Sequence, residues 1–345
     1  MRKQAVSHLN KPAWLLGAVL VLLSGCAPAS RTPYLVYVSN EGSGDMTIID
    51  PALSEPVGTV SLGKRPRGIH PAGGLIFVAL SGSPSAPPGV DESTLPPPDR
   101  SADGIGVVDL AQRKVVKRLF GGSDPEQFAF SRDGKLMYVA NEDAAGVSVV
   151  DIDSGKVLAN VKTGEEPEGV AVTPDGTRVY VTSENQGTVT VIDAGTHRVM
   201  KTIKAGRRPR SITFLPDGSR AFVTNENDAK LTVIDCAREE VTGEIPVAAG
   251  LKPMGQAMSK DGSRLYVTTG RGRKLLVIDP KAGTVLHTID AGDRPWGVAL
   301  SPDEKFAFTA NGPSNDVSAI DLSTNSVVRK IKAGEKPWGV VVLPR

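Results

Sequence analysis

An all-β fold, a closed ring of seven four-stranded antiparallel blades, is predicted by three observations in this 345-residue sequence. First, short segments alternate apolar and polar residues, as in GVAVT, RVYVT and TVTVID between Gly169 and Asp193, with Val, Tyr and Thr filling the positions. That alternation belongs to half-buried β-strands. Second, two independent markers recur. A strand ends in Asp at Asp50, Asp109, Asp151, Asp193, Asp235, Asp279 and Asp321, and a Pro precedes another strand at Pro66, Pro125, Pro167, Pro209, Pro253, Pro295 and Pro337. Both markers give a period of 42 residues, broken only by one spacing of 59 and one of 44. Third, the array begins inside a unit, on the second strand Tyr34–Asn40, and stops on a first strand, PWGVVVLP. The last strand therefore supplies what the first unit lacks. Four-stranded repeats of this length, closed in this way, predict a β-propeller.

The segments follow in chain order. Residues 1–25 carry Arg2, Lys3 and Lys11 and then an apolar run from Trp14 to Leu23, too short to span a bilayer and suited to a signal peptide. Leu23-Ser24-Gly25-Cys26 resembles a bacterial lipobox, which implies acylation of Cys26 and removal of the preceding peptide. The two or three acyl chains so implied would anchor firmly, where a single chain binds only marginally. Ala27 follows the Cys, so the expected location is the outer membrane, facing the periplasm. Residues 26–32 would then be a lipidated tether and 33–345 the propeller. Removing residues 1–25 takes away three basic and no acidic side chains, which turns the formal charge of +2 into −1. A near-neutral exported ring has no electrostatic case for binding nucleic acid. Cys236 is the only other cysteine, so with Cys26 acylated the fold is held by packing and not by a disulfide.

Within a unit, Pro174-Asp175-Gly176 marks a hairpin between the first two strands, and HRVMKTIKAG (197–206) supplies the fourth. The unit of blade two is longer by seventeen residues, within SGSPSAPPGVDESTLPPPDRSAD (81–103). Its prolines favour semi-rigid extended chain, read either as a lid or docking arm or as an unstructured linker. Tyr138-Val139-Ala140-Asn141, Tyr180-Val181-Thr182 and Phe222-Val223-Thr224-Asn225, with recurring GxxPxG, PDG and VID, resemble the YVTN β-propeller repeat. Over the whole mature chain the sequence is similar to the seven-repeat propellers associated with PQQ-dependent alcohol catabolism. That resemblance implies a protein partner, a dehydrogenase or transport component of the cell envelope.

Strand direction places the residues flanking each Pro around one mouth of the channel, the top. Arg65 and Arg67 flank Pro66; Asp124 and Glu126, then Glu166 and Glu168, form an acidic arc; Arg208 and Arg210 flank Pro209. Lys252 and Met254, Arg294 and Trp296, and Lys336 and Trp338 complete the ring. Two readings stand: ion pairing and packing between blades, or a binding site with Trp as platform and charges fixing orientation. Asn40, Glu41, Asn141, Glu142, Glu184, Asn225, Glu226 and Asn311 lie at second-strand ends, where they are expected to satisfy loop backbone. The VID aspartates are expected to cap the turns at the opposite end. The tether, about 25 Å when extended at roughly 3.3 Å per residue, reaches that end, so the mouth is expected to face away from the membrane.

Catalytic chemistry is sparse. His8 leaves with the signal, His197 and His287 lie near the other end, and His70 is not expected to join the top ring. No metal site, haem attachment motif, dinucleotide loop or other cofactor site is expected. Gly270-Arg271-Gly272-Arg273 reads as a solvated basic tip. The chain is thus expected to be a monomeric, non-catalytic binding or scaffold protein, with a small-molecule ligand also open. The alternatives are a hydrolase resembling seven-bladed sugar-lactone hydrolases, drawing on Glu126, Glu168, Glu142 and Glu184, and a surface-layer or adhesion protein.

Overall fold

The computed structural model of the chain describes Met1 and residues 31–85 and 94–345. The leader, the lipobox with Cys26 and the start of the tether lie outside the described residues, apart from Met1. From Tyr34 onward the strands form seven sheets of four antiparallel strands. Six blades are continuous, spanning 69–119, 125–162, 167–204, 209–246, 256–290 and 295–332. Blade one joins Tyr34–Asn40, Asp45–Ile49 and Gly58–Ser61 to the closing strand Pro337–Pro344. That strand pairs antiparallel with Tyr34–Asn40 from Tyr34 against Pro344 to Asn40 against Pro337. The first and last strands of the ring thus share a sheet, as the unfinished first unit predicts.

Alternation decides the packing. In Arg178–Ser183, Val179 and Val181 join the apolar layer toward blade three, while Tyr180 joins the layer toward blade five. Seven such layers occupy the seven gaps between neighbouring blades, the last joining Tyr34, Val36, Val38 and Ile49 to Phe308, Ala310 and Val317. Each fully buried aliphatic or aromatic side chain there contributes about 1.5–3 kcal/mol, so every blade depends on both neighbours.

The repeat motifs have physical roles. Second-strand hydroxyls staple one blade to the next: Ser39 donates to the Arg67 carbonyl at 2.6 Å, Thr182 to that of Arg210 at 2.9 Å, Thr224 to that of Met254 at 2.6 Å and Thr268 to that of Trp296 at 2.6 Å. The glycine two residues after the Pro lets those inner strands converge; a Cβ on Gly169 would lie 2.3 Å from the Arg210 carbonyl oxygen. Asn40, Asn141, Asn225 and Asn311 do not serve loop backbone as expected. They are buried, and each donates to a hydroxyl seven residues on, at Thr47, Ser148, Thr232 and Ser318. The VID aspartates do cap turns: Asp193 accepts from the Thr196 amide at 2.9 Å, and Asp235 accepts from that of Arg238 at the same distance.

One backbone feature shapes the mouth. Arg65, Asp124, Glu166, Arg208, Arg294 and Lys336, each just before a Pro, have φ between 40° and 58°. This left-handed region costs a residue with a Cβ about 1–2 kcal/mol. The residue before the Pro is charged in all seven blades, and in six of them the surrounding strands hold it left-handed.

Candidate functional site

The inner strands of all seven blades line a central cavity of about 380 Å³, bounded by His70, Gln127, Glu168, Arg210, Met254, Trp296 and Trp338 among others. Above it opens the mouth, a cavity of about 670 Å³. Arg65, Arg67, Glu126, Arg208, Arg210, Arg294, Trp296, Lys336 and Trp338 line the mouth, with Glu142, Glu166 and Glu184; Glu168 and Met254 lie in the channel just below. The residues flanking each Pro therefore line these two cavities, with the exception of Lys252, which lines neither and donates to Asn227 instead.

Ion pairing between blades is one of the two readings of the sequence; which residues pair was not legible in it. Two arginines are buried hubs. Arg67, 2% exposed, binds Asp124 and Glu126 of the next blade, with Glu142 at 3.5 Å. Arg210 binds Glu168 and Glu184 of the preceding blade and Glu226 of its own at 2.9 Å. Arg208 adds Glu184 at 2.7 Å and Glu226 at 3.3 Å, and Arg65 pairs with Glu41 at 3.0 Å. Glu41, Glu142, Glu184 and Glu226 are thus partners of arginines and not loop caps, which corrects the expectation for second-strand ends. Glu41, Glu142 and Glu184 come within reach through the packing of one blade on the next, Glu226 within its own blade.

The pKa directions follow from this sharing. Burial raises the Asp124 carboxyl, but Arg67 and Arg65 outweigh it and hold it low. Burial dominates at Glu168 and raises it, despite Arg210. Glu142 is pushed up to about 7 by burial in the mouth, against the pull of Arg67, with Asp124 and Glu168 adding to the rise. The oxygens of Asp124, Glu126 and Glu142 lie within 4.8 Å of one another, a spacing that would suit a cation. The Arg67 guanidinium already stands among them.

The tryptophans stack on each other, with ring centroids 5.5 Å apart and planes 28° apart. Trp338 is 6% exposed, and the Arg294 and Arg210 guanidinia lie 4.9 and 5.5 Å from the Trp296 ring. The pair forms a packed stretch of the mouth wall, with half-buried Trp296 the more accessible member.

The described parts of the insertion join the site. Leu95–Pro98 line the mouth, and the flanking chain is laced down by Lys64 to Asp99 at 2.8 Å, Arg100 to Asp143 at 2.5 Å and the Asp99 amide to the Gly82 carbonyl at 3.0 Å. Strand direction puts the insertion in the top loop of blade two, and its described residues Leu95–Pro98 do lie at that mouth. His70 sits in the channel wall, edge-on to Phe128, with Nε2 3.0 Å from Gln127 Oε1, and burial lowers its pKa.

A family model for the cytochrome D1 heme domain matches residues 99–213, less than half of the chain. No curated protein sequence matches. Among solved structures, a Lactobacillus plantarum protein is 19% identical with a TM-score of 0.74, over 90% of this chain and 99% of its own. A candidate 6-phosphogluconolactonase from Bacteroides uniformis is 16% identical with a TM-score of 0.72, over 90% of this chain and 100% of its own. Hydrazine synthase of Kuenenia stuttgartiensis is 20% identical with a TM-score of 0.67, over 81% of this chain and 95% of that chain. At these identities the likenesses show the propeller fold alone.

Proposed function

We propose that the chain is an exported, lipid-anchored, non-catalytic binding or scaffold protein that captures its partner or ligand at the top mouth. One observation carries the reading. The mouth is a roomy cavity whose carboxylates are mostly locked on buried arginines, so the groups that acid–base catalysis would use are tied into the framework. The lipobox reading of Cys26 supports the anchor and the envelope location. The resemblance to propellers of PQQ-dependent alcohol catabolism supports a dehydrogenase or transport component as partner.

A haem, which the matched family's name carries, does not fit the histidines among the described residues. The channel's His70 turns Nε2 to Gln127, His197 lies in the turn before the fourth strand Val199–Lys204, and His287 lies on the fourth strand Thr284–Asp290. The test of the binding reading is crosslinked capture from intact cells. Trp296→Ala with Leu95→Ala changes two mouth residues and spares buried Trp338; it is expected to lose the partners that the parent captures. An unchanged set of partners would overturn the reading.

Glu142 favours a second reading. Held near 7 and open to the mouth, it has the pKa of a working acid–base group, and a structural neighbour is a candidate 6-phosphogluconolactonase. Hydrolysis of 6-phosphogluconolactone that Glu142→Gln abolishes would establish that reading in place of the first.

A further inference from the structure

Seven cationic side chains line the mouth: Arg65, Arg67, Arg100, Arg208, Arg210, Arg294 and Lys336. Five have a carboxylate at 3.0 Å or closer. Among the described residues Arg294 and Lys336 have none within 4.0 Å. They belong to neighbouring blades, each just before the inner strand and each at φ 51°. Their backbone therefore fixes where the side chains leave the chain. Arg294 leans on Trp296, 4.9 Å from the ring centroid, and Lys336 is solvent-exposed. Arg271 and Arg210 repel Arg294, while Glu226 and Glu41 attract it from beyond ion-pair distance. The opposite wall has the reverse imbalance, with Asp124, Glu126 and Glu142 sharing Arg67. The mouth is therefore dipolar, and the cations without a directly paired carboxylate sit on blades seven and one.

We infer that Arg294 and Lys336 seat an oxyanion, the carboxylate or phosphate of a small ligand lodged in the mouth. The inference rests on the binding reading above. Guanidinium and ammonium groups without partners bind such oxygens through charge-assisted hydrogen bonds. A cavity of about 670 Å³ is sized for a small molecule. The rest of that ligand must be neutral or cationic, because it faces the acidic wall; extended polyanions are disfavoured there.

Calorimetric titration of the full chain with inorganic phosphate and with hexanoate, at constant ionic strength, tests this. Saturable binding of at least one is expected, weakened tenfold or more by Arg294→Gln with Lys336→Gln and unchanged by Lys332→Gln on an outer strand. Lys336→Gln alone, at an exposed position, guards against loss of fold and is expected to weaken binding severalfold. Phosphate but not hexanoate would assign a phosphorylated ligand, and the converse a carboxylate; either supports the inference. No saturable binding of either anion, or equal binding by the double variant, would overturn it. So would heparin binding more tightly than both through the same two residues. Loss of anion binding with mouth-dependent partner capture intact would remove this inference alone, whereas anion binding with mouth-independent capture would remove the scaffold reading.

Discussion

Replacing Arg67 with methionine removes the cation from the acidic wall while keeping most of the side-chain volume. Arg67 is 2% exposed, and Asp124 and Glu126 beside it are 5% and 6% exposed. Without the guanidinium, these carboxylates and Glu142 crowd within 4.8 Å, with only Arg65, 4.0 Å from Asp124, in reach. Stripping one partner from a buried ion pair costs about 3–5 kcal/mol because the other charge stays buried. Two such carboxylates are left, so the upper part of that range applies at pH 8. The loss corresponds to about 6–8 °C in melting temperature for a ring of this size. Part of it must return at pH 5: the crowded carboxyls acquire raised pKa values, and protonation relieves the repulsion. Lys230→Met, which breaks the more exposed pair with Glu244, is the comparison and is expected to cost about 1 kcal/mol or less. Urea unfolding followed by circular dichroism at both pH values measures the difference. A loss for Arg67→Met below about 1 kcal/mol, or one of equal size at pH 5 and pH 8, would refute the buried-hub argument.

Three other outcomes follow from the same geometry. Deleting Trp338–Arg345 removes the inner strand of blade one and should abolish the cooperative melt; a truncated chain melting like the parent would sink ring closure by that strand. Glu142, with its pKa raised to about 7, favours folding in its protonated form, so its contribution is complete below the ordinary carboxylate range and is lost as pH rises through about 7. Glu142→Gln should therefore flatten the fall in melting temperature between pH 5 and 8. After discounting for the third of the side chain that meets solvent, the effect is about 1–2 kcal/mol, and an unaltered slope would contradict it. Gly339→Ala places a Cβ 2.6 Å from Ile69 and 2.8 Å from the Arg67 carbonyl, and should cost about 1–3 kcal/mol in thermal or urea unfolding. A neutral result would show that the inner strands separate more easily than their contacts imply.

The propeller was legible because its signals are local and repeated. Alternation, the Pro and Asp markers and the strand missing from the first unit can each be read within a few residues. The membership of the mouth was legible for the same reason: strand direction places the residues beside each Pro at one end. Its wiring was not. That Glu142 would reach Arg67, or Glu184 reach Arg210, depends on the stagger between neighbouring blades, which no single repeat encodes. The stacking of Trp296 on Trp338 is likewise a contact between blades. The left-handed residues before proline were hidden for a different reason: a following Pro ordinarily steers its predecessor toward extended conformations, so Arg294 and Lys336 gave no local sign of theirs.

Those six left-handed positions also make the mouth recodable. The strands hold each one whatever its side chain, since arginine, lysine, aspartate and glutamate already occupy equivalent places. At Arg294 and Lys336, which have no paired carboxylate, exchanging one charge for another changes what the mouth attracts without breaking an ion pair. Duplicated units of this kind can drift in specificity through single codons, each a separate dial on an unchanged chassis.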